Sequence, residues 1–408
     1  MTGEELFELL GDVEEAYVGQ ARTAAPRPSR ARWVKWGAAA ACLALAVYGG
    51  AGLALRTAPG EPELPMLTIA QDIGGDMGFE GLMAYDVSEL VSANPWTESA
   101  GLTTLPVYKN QLSYDEDNWV SGVDLDAMTA LFYDAAARLG LDPGRLDPVI
   151  NTPSFLRGNE FYPSTRNKKL GEYTPEETYY RSAKPELSAE YGGIEIMVSA
   201  DLTAHITFDP ALPLPEEFHW TYHASYQDTA AAAGFLMDAY PALLGMEEAQ
   251  TDVYGGDRDI YLEQSYHIGF FSGSGDLTEQ IVNYNFHRVQ FFSDGEGKLW
   301  IVRIFAPDLS EKVGDYPIIT AEEARELLLG GNYITTVPDA IPAAENIAKT
   351  ELVYRTGERE EYFMPYYRFY VELPEWERDG LKTYGAFYVP AVEGTYLSHM
   401  PLWDGSFD

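Results

Sequence analysis

The sequence predicts an α+β protein: a single N-terminal transmembrane helix, then tandem units that each lay a helix on an antiparallel sheet. Three observations predict it. Trp36 to Leu55 is a long uncharged apolar run. Three later segments, starting at Asp124, Asp228 and Thr320, show helical spacing of apolar residues next to capping residues. Alternating apolar strands fall between and after them.

The run WGAAAACLALAVYGGAGLAL holds about twenty residues, enough at ~1.5 Å per residue to cross a hydrocarbon core of ~30 Å. Arg22, Arg27, Arg30, Arg32 and Lys35 precede it, whereas Arg56 is followed by Glu61, Glu63 and Asp72. Lysine and arginine resist translocation, so the tail is expected in the cytoplasm and the C-terminal domain outside the cell membrane. Trp33 and Trp36 suit the membrane interface. A cleaved secretory signal fits less well, because such signals have short leaders and apolar cores of roughly 7–15 residues. A lipoprotein site at Cys42 has too few apolar residues before it. A buried core helix stays open, because alanine and glycine make the run only moderately hydrophobic.

The tail opens on a capping box, Thr2-x-x-Glu5. Leu6, Leu10, Val13 and Tyr17 follow at spacings that place them on one helical face. One short helix cannot bury that stripe alone. The acids Glu4, Glu8, Asp12, Glu14 and Glu15 disfavour the membrane as its cover. These four residues are therefore the candidates for docking a protein partner. Residues 21–32, with Pro26 and Pro28, read as a connector.

The formal net charge of the 408-residue chain is −37. The first 55 residues carry nearly balanced charge, so the excess lies beyond them. Such a surface disfavours nucleic acid and anionic lipid as partners. With 46% apolar residues the rest can build a packed core, and disorder is not expected for most of it. The single cysteine, Cys42, lies in the apolar run, so the outer region has no disulfide.

Residues 1–35 form the expected tail, 36–55 the span, and 56–104 a proline-interrupted stalk and an irregular region. Units are expected over 105–215, 216–310 and 311–408. Asp124 to Leu139 places Leu125, Met128, Phe132, Ala135 and Leu139 on one stripe, with Gly140 as stop. A second helix starts at Asp228 and carries Phe235, Leu236, Ala239 and Tyr240. A third starts at the capping box Thr320-x-x-Glu323 and stops at Gly330. Strands are expected at 194–198, 203–208, 259–271, 283–292, 298–305, 351–355, 362–371 and 383–389, with hairpins across Asp201-Leu202, Ser293 to Gly297, and Thr356-Gly357-Glu358.

No motif specifies a reaction. His219 and His223 have helical metal-ligand spacing, yet their segment follows Pro213 and Pro215 and reads as irregular. Gly273-Ser274-Gly275 lacks the spacing of a nucleophile elbow. The acids Asp115, Glu116, Asp117, Asp124 and Asp126 lack the mid-loop glycine of a calcium loop, and Gly255 to Asp259 holds too few acids for one. Trp220, Tyr222, Tyr226, Tyr366, Tyr367 and Tyr370 could stack on sugars, with packing as the ordinary use. No phosphate loop or dinucleotide fingerprint is present. No catalytic, cofactor or metal residue is assigned.

The tail EELFELLGDVEEAYVGQA with RWVKWGAAAACLALAV resembles uncharacterised clostridial single-pass membrane proteins. Their layout is similar to that of membrane-bound anti-sigma factors. YPIITAEEARELLLGGNYI and MPYYRFYVELPEW, followed by YGAFYVPAV, look like PepSY-type domains of Gram-positive regulators. The resemblance implies a non-enzymatic regulator or sensor with PepSY/cystatin-like units, no cofactor, and a sigma factor or kinase component as cytoplasmic partner. The tail lacks the His and Cys of zinc-type anti-sigma domains. An anchored surface module for peptide or carbohydrate is the alternative, and an anchored hydrolase the second.

Overall fold

The computed structural model describes residues 64–69, 82–84, 87–114, 120–157, 160–172, 184–258, 261–357 and 359–403. Residues 65–408 form one unit. The tail positions Leu6, Leu10, Val13 and Tyr17, and the run 36–55, lie outside the described residues.

In chain order, β1 (Leu82–Ala84), β2 (Thr104–Lys109) and the short pair β3 (Ser113–Tyr114) and β4 (Val120–Ser121) precede α1 (Leu125–Arg138). Then come β5 (Val149–Thr152), β6 (Phe155–Arg157), β7 (Glu160–Tyr162), β8 (Thr165–Lys169), β9 (Glu186–Tyr191), β10 (Ile194–Ser199) and β11 (Thr203–Leu212). Helices α2 (Tyr226–Ala239) and α3 (Pro241–Leu244) lead to β12 (Ala249–Arg258) and β13 (Gln264–Ser272). After α4 (Leu277–Phe286) follow β14 (Arg288–Ser293), β15 (Leu299–Phe305) and β16 (Lys312–Pro317). The chain closes with α5 (Ala321–Leu329), β17 (Ile347–Tyr354), β18 (Tyr362–Phe363), β19 (Pro365–Glu372) and β20 (Lys382–Pro390).

Nine strands make one antiparallel sheet in the order β12-β13-β14-β15-β11-β10-β9-β5-β8. This corrects the α+β expectation of tandem units. β11, expected in one unit, pairs with β15, expected in the next, through Thr203↔Phe305 to Thr207↔Ile301. Likewise β2 lies between β16 and β18 of the C-terminal part. The protein is mainly β, because strands join wherever two edges match, whatever separates them in the chain.

The structure also corrects the expectation of a single-pass membrane protein. Among the described residues no helix is long and apolar enough to cross a membrane.

Local signals act as their chemistry requires. Asp124 caps α1, its carboxylate accepting from the N–H groups of Asp126 and Ala127. Leu125, Met128, Phe132, Ala135 and Ala136 are buried on one face, and Gly140 ends the helix at φ +67°. Full burial of Phe132 contributes about 2–3 kcal/mol. α2 starts two residues earlier than expected, because the Ser225 hydroxyl accepts from Asp228 N. Thr320 and Glu323 form the expected capping box of α5.

Residues 283–292, expected as one strand, divide into the end of α4 and the strand β14. Asp276 and Glu279 form a reciprocal capping box, which starts the helix and carries it through Asn283 to Phe286. The two hairpins expected at Asp201-Leu202 and at Ser293 to Gly297 are present as β10-β11 and β14-β15.

Strand period gives the nine-stranded sheet two different faces. Ile196, Ile206, Val302, Phe291 and Ile268 line up across five strands on the buried face. Helices α1 and α2 pack on this sheet. One residue along each strand, the opposite face carries Met197, His205, Arg303, Gln290, Gly269 and Asp252 in a single register row.

A second sheet, β1-β20-β19-β17, is likewise two-sided. Leu352, Tyr367, Phe369, Val371, Phe387 and Val389 join Ala324 and Leu328 of α5 in a core. The alternate residues Glu351, Arg368 and Tyr388 are aligned on the other face. Helix α4 bridges the sheets. Its Ile281, Val282 and Phe286 enter the core of the second sheet, while it also packs on β13 and β14.

Candidate functional site

The polar row of the large sheet and the polar face of the small sheet meet in a cleft of about 570 Å³. Four arginines line it: Arg288 and Arg303 from β14 and β15, Arg355 just after β17, and Arg368 from β19. Asp201, His205, Gln290, Tyr284 and Tyr388 complete much of the wall. In a chain with 27 basic and 64 acidic residues, four guanidiniums gather in this one cleft.

Three of these arginines have carboxylate partners. Arg288 pairs with the fully buried Asp252 and lies over the rings of Tyr254 and Tyr284 at 5.0 and 5.1 Å. Arg355 and Glu360, 5% and 4% exposed, form a buried pair at 2.7 Å. Arg368 donates to Glu351 through Nη2 and through Nε at 3.1 Å. Lys349 reaches the same carboxylate at 2.8 Å. Burial alone would raise the pKa of Glu351, but Arg368, Lys349 and Ser92 outweigh it and hold the group at about 2.

A strap between the sheets completes the network. Ser92 Oγ donates to Glu351 at 2.7 Å and Ala93 N to Asp252 at 2.7 Å. Asn94 Nδ2 donates to Leu352 O, and Val91 bridges to Gly255. Gly256 permits this approach: at φ +102° a Cβ there would stand 1.8 Å from Glu89 O.

Arg303 differs from its neighbours. Its register partners are His205 and Gln290, neither of them a carboxylate. Its guanidinium lies over the Phe292 ring at 5.0 Å, and its buried Nε has no hydrogen-bond partner, as is also true of Arg288 Nε and Arg355 Nη1. No carboxylate among the described residues pairs with it. Asp201, on the same wall, accepts from Thr203 N at 3.1 Å. Burial and the Arg303 charge push the pKa of His205 down, against a smaller opposing effect of Asp201. Burial pushes the Tyr284 hydroxyl far up, so it stays protonated.

The residues singled out from the sequence lie elsewhere. His219 Nε2 meets Leu214 O at 2.8 Å, and His223 faces Glu263 at 3.2 Å. Among the described residues no group of three or more His, Cys, Asp or Glu could hold a metal ion. Gly273 to Gly275 links β13 to the cap of α4. Trp220, Tyr366, Tyr367 and Tyr370 are buried in packing, whereas Tyr222 and Tyr226 are 52% and 45% exposed.

Sequence reasoning missed all four arginines. The available signal was alternation: HRVQFF and LWIVRIF place Arg288, Gln290 and Arg303 opposite the apolar residues of their strands. No protein-family model and no curated protein matches the chain.

The arrangement is suited to gripping. The buried carboxylates Asp252 and Glu351 are each committed to guanidiniums, and the cleft walls present planar multi-donor groups to whatever enters.

Proposed function

We propose that this protein is a non-enzymatic binding module, of regulator or sensor type, that takes a small polar ligand into the cleft between its two sheets. The observation that carries the reading is the cleft itself. At about 570 Å³ it has the size of a small-molecule site. Its walls are held in place by three ion pairs and by the strap around Ser92 and Ala93. A prebuilt polar cavity lowers the ordering cost of binding.

The test is a thermal-shift screen of small polar metabolites on the wild type and on Ser199→Trp, which places an indole in the cleft wall. Ligands that raise the melting temperature of the wild type should lose that effect in the variant. A screen without such ligands, or shifts that survive the indole, would count against the cleft as the seat. In the regulator form of this reading, Leu6, Leu10, Val13 and Tyr17 dock a signalling partner. Leu10→Asp should then release it in a pull-down from the native cell.

A second reading, surface binding of carbohydrate, is favoured by exposed Tyr222 and by a groove of about 520 Å³ that includes Tyr226, Arg258 and Gln264. Retention on polysaccharide that Tyr222→Ala and Tyr226→Ala abolish would support it.

A further inference from the structure

Resting on the reading of the cleft as a ligand seat, we infer that the ligand carries an oxyanion, a carboxylate or phosphate group, and that Arg303 receives it. Arg288, Arg355 and Arg368 are each matched by a buried acid, Asp252, Glu360 and Glu351. Arg303 is half-buried on the same wall, without a carboxylate partner among the described residues and with a buried Nε that no acceptor meets. A desolvated donor without an acceptor is unfavourable, and more so on a charged group.

The surroundings keep Arg303 available instead of neutralising it. Across the ladder stand His205, kept neutral by burial and by Arg303, and Gln290, whose amide donates to Tyr254 Oη at 2.6 Å. The Arg303 guanidinium lies over the Phe292 ring, with its carbon 5.0 Å from the ring centroid. The planar guanidinium fork suits the two oxygens of a carboxylate or phosphate. Among the described residues of the cleft, Arg303 is the one arginine without a carboxylate partner. Asp201 is the opposing acid on that wall, and it is engaged with the Thr203 N–H.

The test is isothermal titration of the full chain with inorganic phosphate, citrate and glucose at low and high sodium chloride. At least one anion should bind, more weakly as salt rises, while glucose does not. Phosphate binding without citrate binding assigns a phosphate ligand, and the converse a carboxylate. Arg303→Met should weaken the anion about 10- to 100-fold. Arg303→Lys, which keeps the charge and loses the fork, should recover part of that loss. The inference is overturned if neither anion binds the wild type at about 10 mM, or if both variants bind as the wild type does. A neutral metabolite whose binding Ser199→Trp removes and Arg303→Met leaves intact would overturn the oxyanion while sparing the cleft. Absence of every ligand from the cleft would remove both.

Discussion

Glu351→Gln tests the network that builds the cleft. The carboxylate is 5% exposed and accepts from Arg368, Lys349 and Ser92. Neutralising it strands two cations in a desolvated place, which costs about 3–5 kcal/mol. The fall of its pKa from 4.5 to about 2, at ~1.4 kcal/mol per unit, corresponds to about 3 kcal/mol. The pKa is depressed in the folded state, so the unfolded chain takes up the proton first as pH falls. The stabilisation is complete above about 4.5 and is lost as pH falls from there towards 2. Urea unfolding of wild type and variant at neutral pH should show the full difference, and the two should converge as pH approaches 2. A difference below about 1 kcal/mol at neutral pH would refute the view that this pair holds the sheet face together.

Arg303→Met should leave the ligand-free protein as stable or up to about 1 kcal/mol more stable, because it removes an unmatched cation. In the wild type His205 should titrate below 6.5, so its contribution to stability is lost as pH falls below that value. In Arg303→Met its proton NMR titration should move up, and an unmoved midpoint would separate the two residues. Gly256→Ala should cost about 2 kcal/mol or more by chemical denaturation, since its Cβ would collide with Glu89 O, while Gly295→Ala, with open space around it, should stay within about 0.5 kcal/mol. Asp276→Ala should cost about 1 kcal/mol by removing the cap of α4.

Legibility followed range along the chain. Caps at Asp124 and Thr320 and the Asp201-Leu202 turn involve residues a few positions apart, so residue type alone carries them. Asp276 and Glu279 carry the same kind of local signal, which the expectation of one strand over 283–292 left out; the alternation of Val289 and Phe291 belongs only to the strand after the helix. Aromatic content correctly pointed to packing for Trp220, Tyr366, Tyr367 and Tyr370. The same expectation of packing fails for Tyr222 and Tyr226, which are exposed, because exposure depends on what covers a residue.

The candidate site was the least legible part. An isolated arginine in a strand reads as a solvated surface residue, and the sequence offers no means of telling Arg303 from Arg288. Their difference is that Asp252 reaches one and not the other. Asp252 stands two strands away from β14 in the sheet, and the register that joins them is a property of two strand pairings at once.

The sequence by itself determined the acidic charge, the positions of most helices and hairpins, and which side of each strand is apolar, because each depends on residue type at short spacing. Only the tertiary structure decided that β11 meets β15 in a nine-stranded sheet, that β2 joins the C-terminal strands, and that four arginines converge on one cleft. Those outcomes depend on which sheet edges and polar faces come together in space, and contacts between distant segments leave no periodic trace in the chain.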